Sequence, residues 1–204
     1  MIFMESNYNS IGPFYDFGSS MASAAASVIP EVFMKAIVNG DYSWRRDLHR
    51  LLAWGEYPEE LEFPVVFHHS ESRDWRDLVH MHYHKEVFLI SERVEKILID
   101  NSITGWESYP IIIFDKKGKE IKGYTGFSVT GRGGYFYGAF TPKWEIMCDH
   151  HLRKRWDVSQ WDGSDLFRIH PNYMITTAKV RDLFIANRIR GAKFTPFSEF
   201  VDFI

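Results

Sequence analysis

The stretch from Trp75 to Pro110 returns in degraded form at Trp161 to Pro196, in a constant register and without a gap. Eight positions are identical. Trp75, His84, Val94 and Ile99 match Trp161, His170, Val180 and Ile185, and Asn101, Ile103, Gly105 and Pro110 match Asn187, Ile189, Gly191 and Pro196. Average residue usage gives roughly two identities by chance over such a length. Conservative matches reinforce the pattern: Ser91 with Thr177, Arg93 with Lys179, Ile97 with Leu183. Two copies are too few for a solenoid. The pattern reads as internal duplication of one strand–helix–strand unit.

Each copy follows one plan. A short apolar run (Val87 to Ile90; Tyr173 to Ile175) predicts a strand. Ser91 or Thr177 then stands at the N-cap, its hydroxyl placed to accept from a free amide of the first turn. Glu92 and Glu95 set negative charge where the helix dipole favours it. Val94, Ile97 and Leu98, or Val180, Leu183 and Phe184, share one helical face. Asn101 and Asn187 are placed for a left-handed helix stop. Gly105 and Gly191 allow the next turn, and second strands are expected over Tyr109 to Phe114 and Phe194 to Phe197. The shared Asn and Gly read as backbone geometry rather than chemistry.

Two helices are expected earlier, one opened by Pro30 and stopped at Asn39-Gly40. The second is capped by Ser43, carries Trp44, Leu48, Leu51 and Leu52 on one face, and stops at Gly55. Residues 1–19 read as loop or edge, Ser20 to Ser27 as a candidate helix, Tyr57 to Glu60 as a linker and Pro64 to His68 as a strand. Asp115-Lys116-Lys117-Gly118 marks a hairpin. Gly126 to Val129 is a strand candidate, and Gly131 to Gly134 a flexible turn. The expected fold is α+β, mostly antiparallel sheet with packed helices, built on the duplicated unit. Residues 1–60 form an N-terminal helical or irregular segment and 61–204 an α+β domain, or the two are continuous.

Aromatics make up 17% and hydrophobic residues 45% of the 204, enough for a core without staples. The single cysteine, Cys148, has no internal disulfide partner, which favours a reducing compartment. With no signal-peptide or membrane-span pattern, the expected location is the cytoplasm. Net charge runs from −4 over residues 1–60, through −1 over 61–140, to +2 over 141–204. That is not the concentrated basic face of a nucleic-acid binder.

His80, His82 and His84 alternate, so on a strand they share one side, with His68 or His69 as possible additions. Such a set suits zinc, iron or copper; the alternative is a His-rich surface with His84 bonded in the core. Cys148, His150 and His151 form a second, less complete set. Asp162 and Asp165 pair as candidate acid–base carboxylates, against turn and capping roles.

Three segments resemble a bacterial family. They are Trp161-Asp162-Gly163-Ser164-Asp165-Leu166-Phe167-Arg168, then Tyr173 to Thr177, then Ile189-Arg190-Gly191-Ala192-Lys193-Phe194-Thr195-Pro196, with Gly123-Tyr124 to Val129 as the Tyr-containing strand. Together, over roughly Ile121 to Phe197, they resemble the immunity-protein domain found beside polymorphic toxins, long catalogued as a domain of unknown function. The resemblance implies a non-enzymatic cytoplasmic protein, without cofactor, that neutralises one cognate toxin encoded nearby by steric occlusion. Neither nucleic acid nor membrane is an expected partner. Trp106, Tyr135, Tyr137 and Trp144 are candidate anchors, since Trp and Tyr dominate binding hot spots. The acidic N-terminal third would be the docking face for a basic toxin. A metal-dependent enzyme using His80, His82 and His84, and a general interaction module, stand as alternatives.

Overall fold

A computed structural model describes residues 13–19, 25–41, 43–71, 74–81, 87–134, 158–170 and 173–196. The first described elements are strands β1 (Phe14–Ser19) and β2 (Ser27–Pro30), followed by helices α1 (Glu31–Val38) and α2 (Trp44–Trp54). Strands β3 (Val65–Glu71), β4 (Leu78–Met81) and β5 (Val87–Ser91) lead into α3 (Glu92–Asp100). Then come β6 (Trp106–Tyr109), β7 (Ile111–Phe114), β8 (Glu120–Ile121), β9 (Tyr124–Val129) and β10 (Gly131–Arg132). The last described elements are β11 (Leu166–His170), β12 (Tyr173–Thr177), α4 (Ala178–Ala186) and β13 (Ala192–Pro196).

The fold is α+β. Eight strands order as β6-β9-β5-β4-β2-β3-β7-β8 and five as β10-β11-β12-β1-β13. Both sheets are mixed, because β2 runs parallel to β4, β3 to β7 and β10 to β11. Strand alternation sends successive side chains to opposite faces. Leu89 and Val79 point into one core with Leu48, Leu52 and Phe67. Their neighbours Ile90 and Leu78 point into another with Val94, Leu98, Val180 and Phe184. Helices α1 and α2 therefore belong to one face of the large sheet, and α3 and α4 to the other.

Local signals explain most boundaries. Ser43 accepts from the Arg45 amide at 3.4 Å to start α2, and Gly55, at φ +70°, ends it. Pro30 stands in extended backbone just before α1. Ser91 caps α3 through the Val94 amide at 3.4 Å.

Several expectations are corrected. Ser27 lies in strand β2, not a helix, since it is buried beside β4. The run Tyr109 to Phe114 breaks at Pro110, which has no amide to donate, so β6 and β7 pair with β9 and β3 respectively. Gly131 and Arg132 form a strand against β11 rather than a free turn. The left-handed residue falls one place later than expected, at Ser102 (φ +50°) and Arg188 (φ +52°). Asn101 and Asn187 instead donate their side-chain amides to Ile97 O and Leu183 O, at 2.9 and 2.8 Å. Thr177 makes no cap bond of its own.

The two expected copies have elements of like bounds: β5–α3 and β12–α4 coincide in the sequence register. The strands before them do not. Leu78 pairs with Ile90, whereas Leu166 pairs with Thr176, a slip of two residues against the ungapped alignment. Common descent of the two units is proposed rather than observed.

Candidate interaction surface

Helix α1 reads Glu-Val-Phe-Met-Lys-Ala-Ile-Val, apolar at every position except Glu31 and Lys35. A helix that borders a core needs only one apolar stripe. Here Ala36 is the buried residue, while Met34, Ile37 and Val38 are 41%, 57% and 84% exposed. Their i, i+3, i+4 spacing puts all three on one outer strip. Scattered exposed apolar residues are ordinary, whereas an adjacent set with a polar border is a candidate interaction surface.

The border is charged and locally neutral. Glu31 pairs with Lys35 along the helix and accepts from His68 Nε2 at 2.8 Å. The Lys35 bond, and secondly the His68 bond, hold its carboxyl below the usual range. Beside α1, an open groove of about 410 Å³ is lined by Val32, Lys35, Ala36, Asn39, Asp41 and Arg45. Asp41 is held low by hydrogen bonding from Ser43, with Arg45 beside it at 3.3 Å. The net acidity of the N-terminal third is thus not concentrated here, because each of these acids has a cationic neighbour.

Of the sequence-predicted residues, His68 meets this surface through Glu31. Trp106 is half-buried at the start of β6, donates to Ile103 O at 2.8 Å and stacks on Phe127 with centroids 6.2 Å apart. Tyr135, Tyr137, Trp144, His82, His84, Cys148, His150 and His151 lie outside the described residues. His80 is buried in β4, opposite Val87 and Ser27. His69 packs its ring 5.2 Å from Trp75. Among the described residues no three His, Cys, Asp or Glu side chains converge as a metal site.

Both carboxylates accept hydrogen bonds from backbone and side-chain donors. Burial pushes Asp162 up, but bonds from Ser164 and the Arg132 amide outweigh it and hold the carboxyl low. Asp165 accepts from Thr104 N, Thr177 Oγ1 and Lys179 Nζ at 3.2, 3.2 and 2.9 Å. No family model and no curated protein matches the chain. Among the described residues no helix is long and apolar enough to cross a membrane.

The sequence predicts a helix here but does not single out its outer strip. The signal was present: six apolar residues in eight cannot all face one way.

Proposed function

We propose that the chain is a non-catalytic immunity protein that binds and occludes one cognate toxin in the cytoplasm. The observation that carries the binding half of this reading is the outer strip of α1. The toxin itself rests on the resemblance of Leu166 to Arg168, Tyr173 to Thr177 and Ile189 to Pro196 to the immunity family.

Magnitudes define what the strip contributes. Covering the exposed parts of Met34, Ile37 and Val38 is worth on the order of 3–5 kcal/mol, at about 1.5–3 kcal/mol per fully buried side chain. A nanomolar complex needs about 12 kcal/mol net. The strip therefore serves as the central anchor of a larger contact, with Glu31 and Lys35 on its rim.

The test is co-expression with a toxin encoded beside this chain. The expected result is restored growth and a one-to-one complex by size-exclusion chromatography. Undiminished killing, with the chain present in folded form, overturns the proposal.

A further inference from the structure

Strand β9 lies between β5 and β6, and β1 lies between β12 and β13. In each case the outer strands are joined through a helix, and the central strand is antiparallel to both. The registers coincide. Leu89, Ile90 and Ser91 face Gly126, Thr125 and Tyr124, while Ile175, Thr176 and Thr177 face Asp16, Tyr15 and Phe14. On the other side Ser108 faces Phe127, and Phe194 faces Phe17. After its sheet, each central strand continues into a parallel pair, β2 with β4 and β10 with β11.

The same reciprocity holds at two carboxylates. Asp77, whose side chain is 12% exposed, accepts from Ser91 Oγ at 2.9 Å and Arg93 Nη1 at 3.3 Å. It also accepts the Arg190 amide, 2.8 Å away, from the loop after α4. Asp165, 15% exposed, accepts from Thr177 Oγ1 and Lys179 Nζ, and takes the Thr104 amide from the loop after α3. The following residues close the exchange: Leu78 donates to Arg190 O at 3.2 Å, and Leu166 to Thr104 O at 3.0 Å. Arg93 reaches Asn187 O, and Lys179 reaches Ser102 O. A Cβ at Gly191 would meet Leu78 O at 2.9 Å, and one at Gly105 would meet Leu166 O at 1.9 Å. These contacts make Asp77 the counterpart of Asp165, which absorbs the two-residue slip between the copies.

We infer that the fold is an interlocked pair of like units. With β1 counted to the first unit and β9 to the second, each unit's first strand completes the other's sheet, and Asp77 and Asp165 are the two equivalent latches that tie each helix start to the opposite unit. A carboxylate suits this place because it takes several donors at once, including charged ones. The latches are positioning residues that hold the seam closed.

Hydrogen exchange on full-length protein tests the inference, using Asp77→Asn and Asp165→Asn. Each variant loses charge but keeps its size. Asp77→Asn is expected to speed exchange at least tenfold at the amides of Arg190 and Leu78. Asp165→Asn does the same at Thr104 and Leu166, and the two variants lower Tm alike. Asp182→Asn, 61% exposed and paired with its neighbour Arg181, changes neither. Should the carboxylate variants fail to fold, Arg93→Met and Lys179→Met read the same seam, with smaller and matched losses of protection. Exchange that quickens only within the mutated unit, or at one latch and not the other, overturns the inference.

Discussion

Truncating Phe17 to alanine tests how firmly β1 is built into the fold. The side chain is 3% exposed, stacked on Phe194 at 5.3 Å and edge-on to Phe184 at 5.9 Å. A buried Phe→Ala change costs about 3–5 kcal/mol, against a total stability of about 5–15 kcal/mol for a domain. At about 2–4 °C per kcal/mol for a chain of this size, Tm should fall by roughly 6–20 °C in a calorimetric scan. Phe127→Ala, at the matching register position and 1% exposed, should cost a like amount. Ile185→Ala, on α4 and 63% exposed, is the control and should stay within about 0.5 kcal/mol. If Phe17→Ala moves Tm no further than Ile185→Ala does, β1 does not fill the slot between β12 and β13.

Replacing Ile37 or Val38 with aspartate should leave Tm within a few degrees and weaken toxin binding at least tenfold by calorimetry; unchanged affinity would remove the α1 strip from the interface. Raising pH should unfold the protein between about pH 10 and 12. Burial pushes Tyr57, Tyr109 and Tyr124 up, Tyr124 to about 12 with Asp77 adding to it. The unfolded chain ionises its tyrosines near pH 10. It then holds fewer protons than the folded one, so stability present below pH 10 is lost as pH rises. Tyrosinate absorbance at 295 nm and loss of ellipticity should coincide, and full ionisation near pH 10 with ellipticity intact would contradict the burial. Elemental analysis of untagged protein should find no stoichiometric transition metal; one equivalent of zinc or iron would restore the reading of His80, His82 and His84 as ligands.

How much of this was legible in the chain follows from the range of each interaction. Caps, stops and helical faces act within a few residues, so Ser43, Gly55, Ser91 and the apolar face of α3 could be read in advance. The matching bounds of β5–α3 and β12–α4 were legible for the same reason, because each is built from local signals. The strands before them do not follow the ungapped alignment, because that alignment matches Trp75 with Trp161, whereas the hydrogen bonding matches Asp77 with Asp165. Nothing local reveals that pairing, since the Asp77 carboxylate is satisfied partly by an amide at residue 190. The place of β1 was equally hidden. Phe14, Tyr15 and Phe17 read as scattered aromatics in a loop, yet their partners Thr177, Thr176 and Phe194 lie at the far end of the chain.

That long reach has a consequence for order of assembly. Until α4 and β13 exist, the slot for β1 is incomplete, and Phe17 lacks the rings of Phe184 and Phe194 that bury it. The other central strand, β9, lies close in sequence to β5 and β6 and can pair with them at once. Non-local pairing carries the larger closure entropy. The half containing α3 should therefore form first and present Thr104 and Gly105 as a template. The half containing α4 should then close on it as Asp165 takes the Thr104 amide.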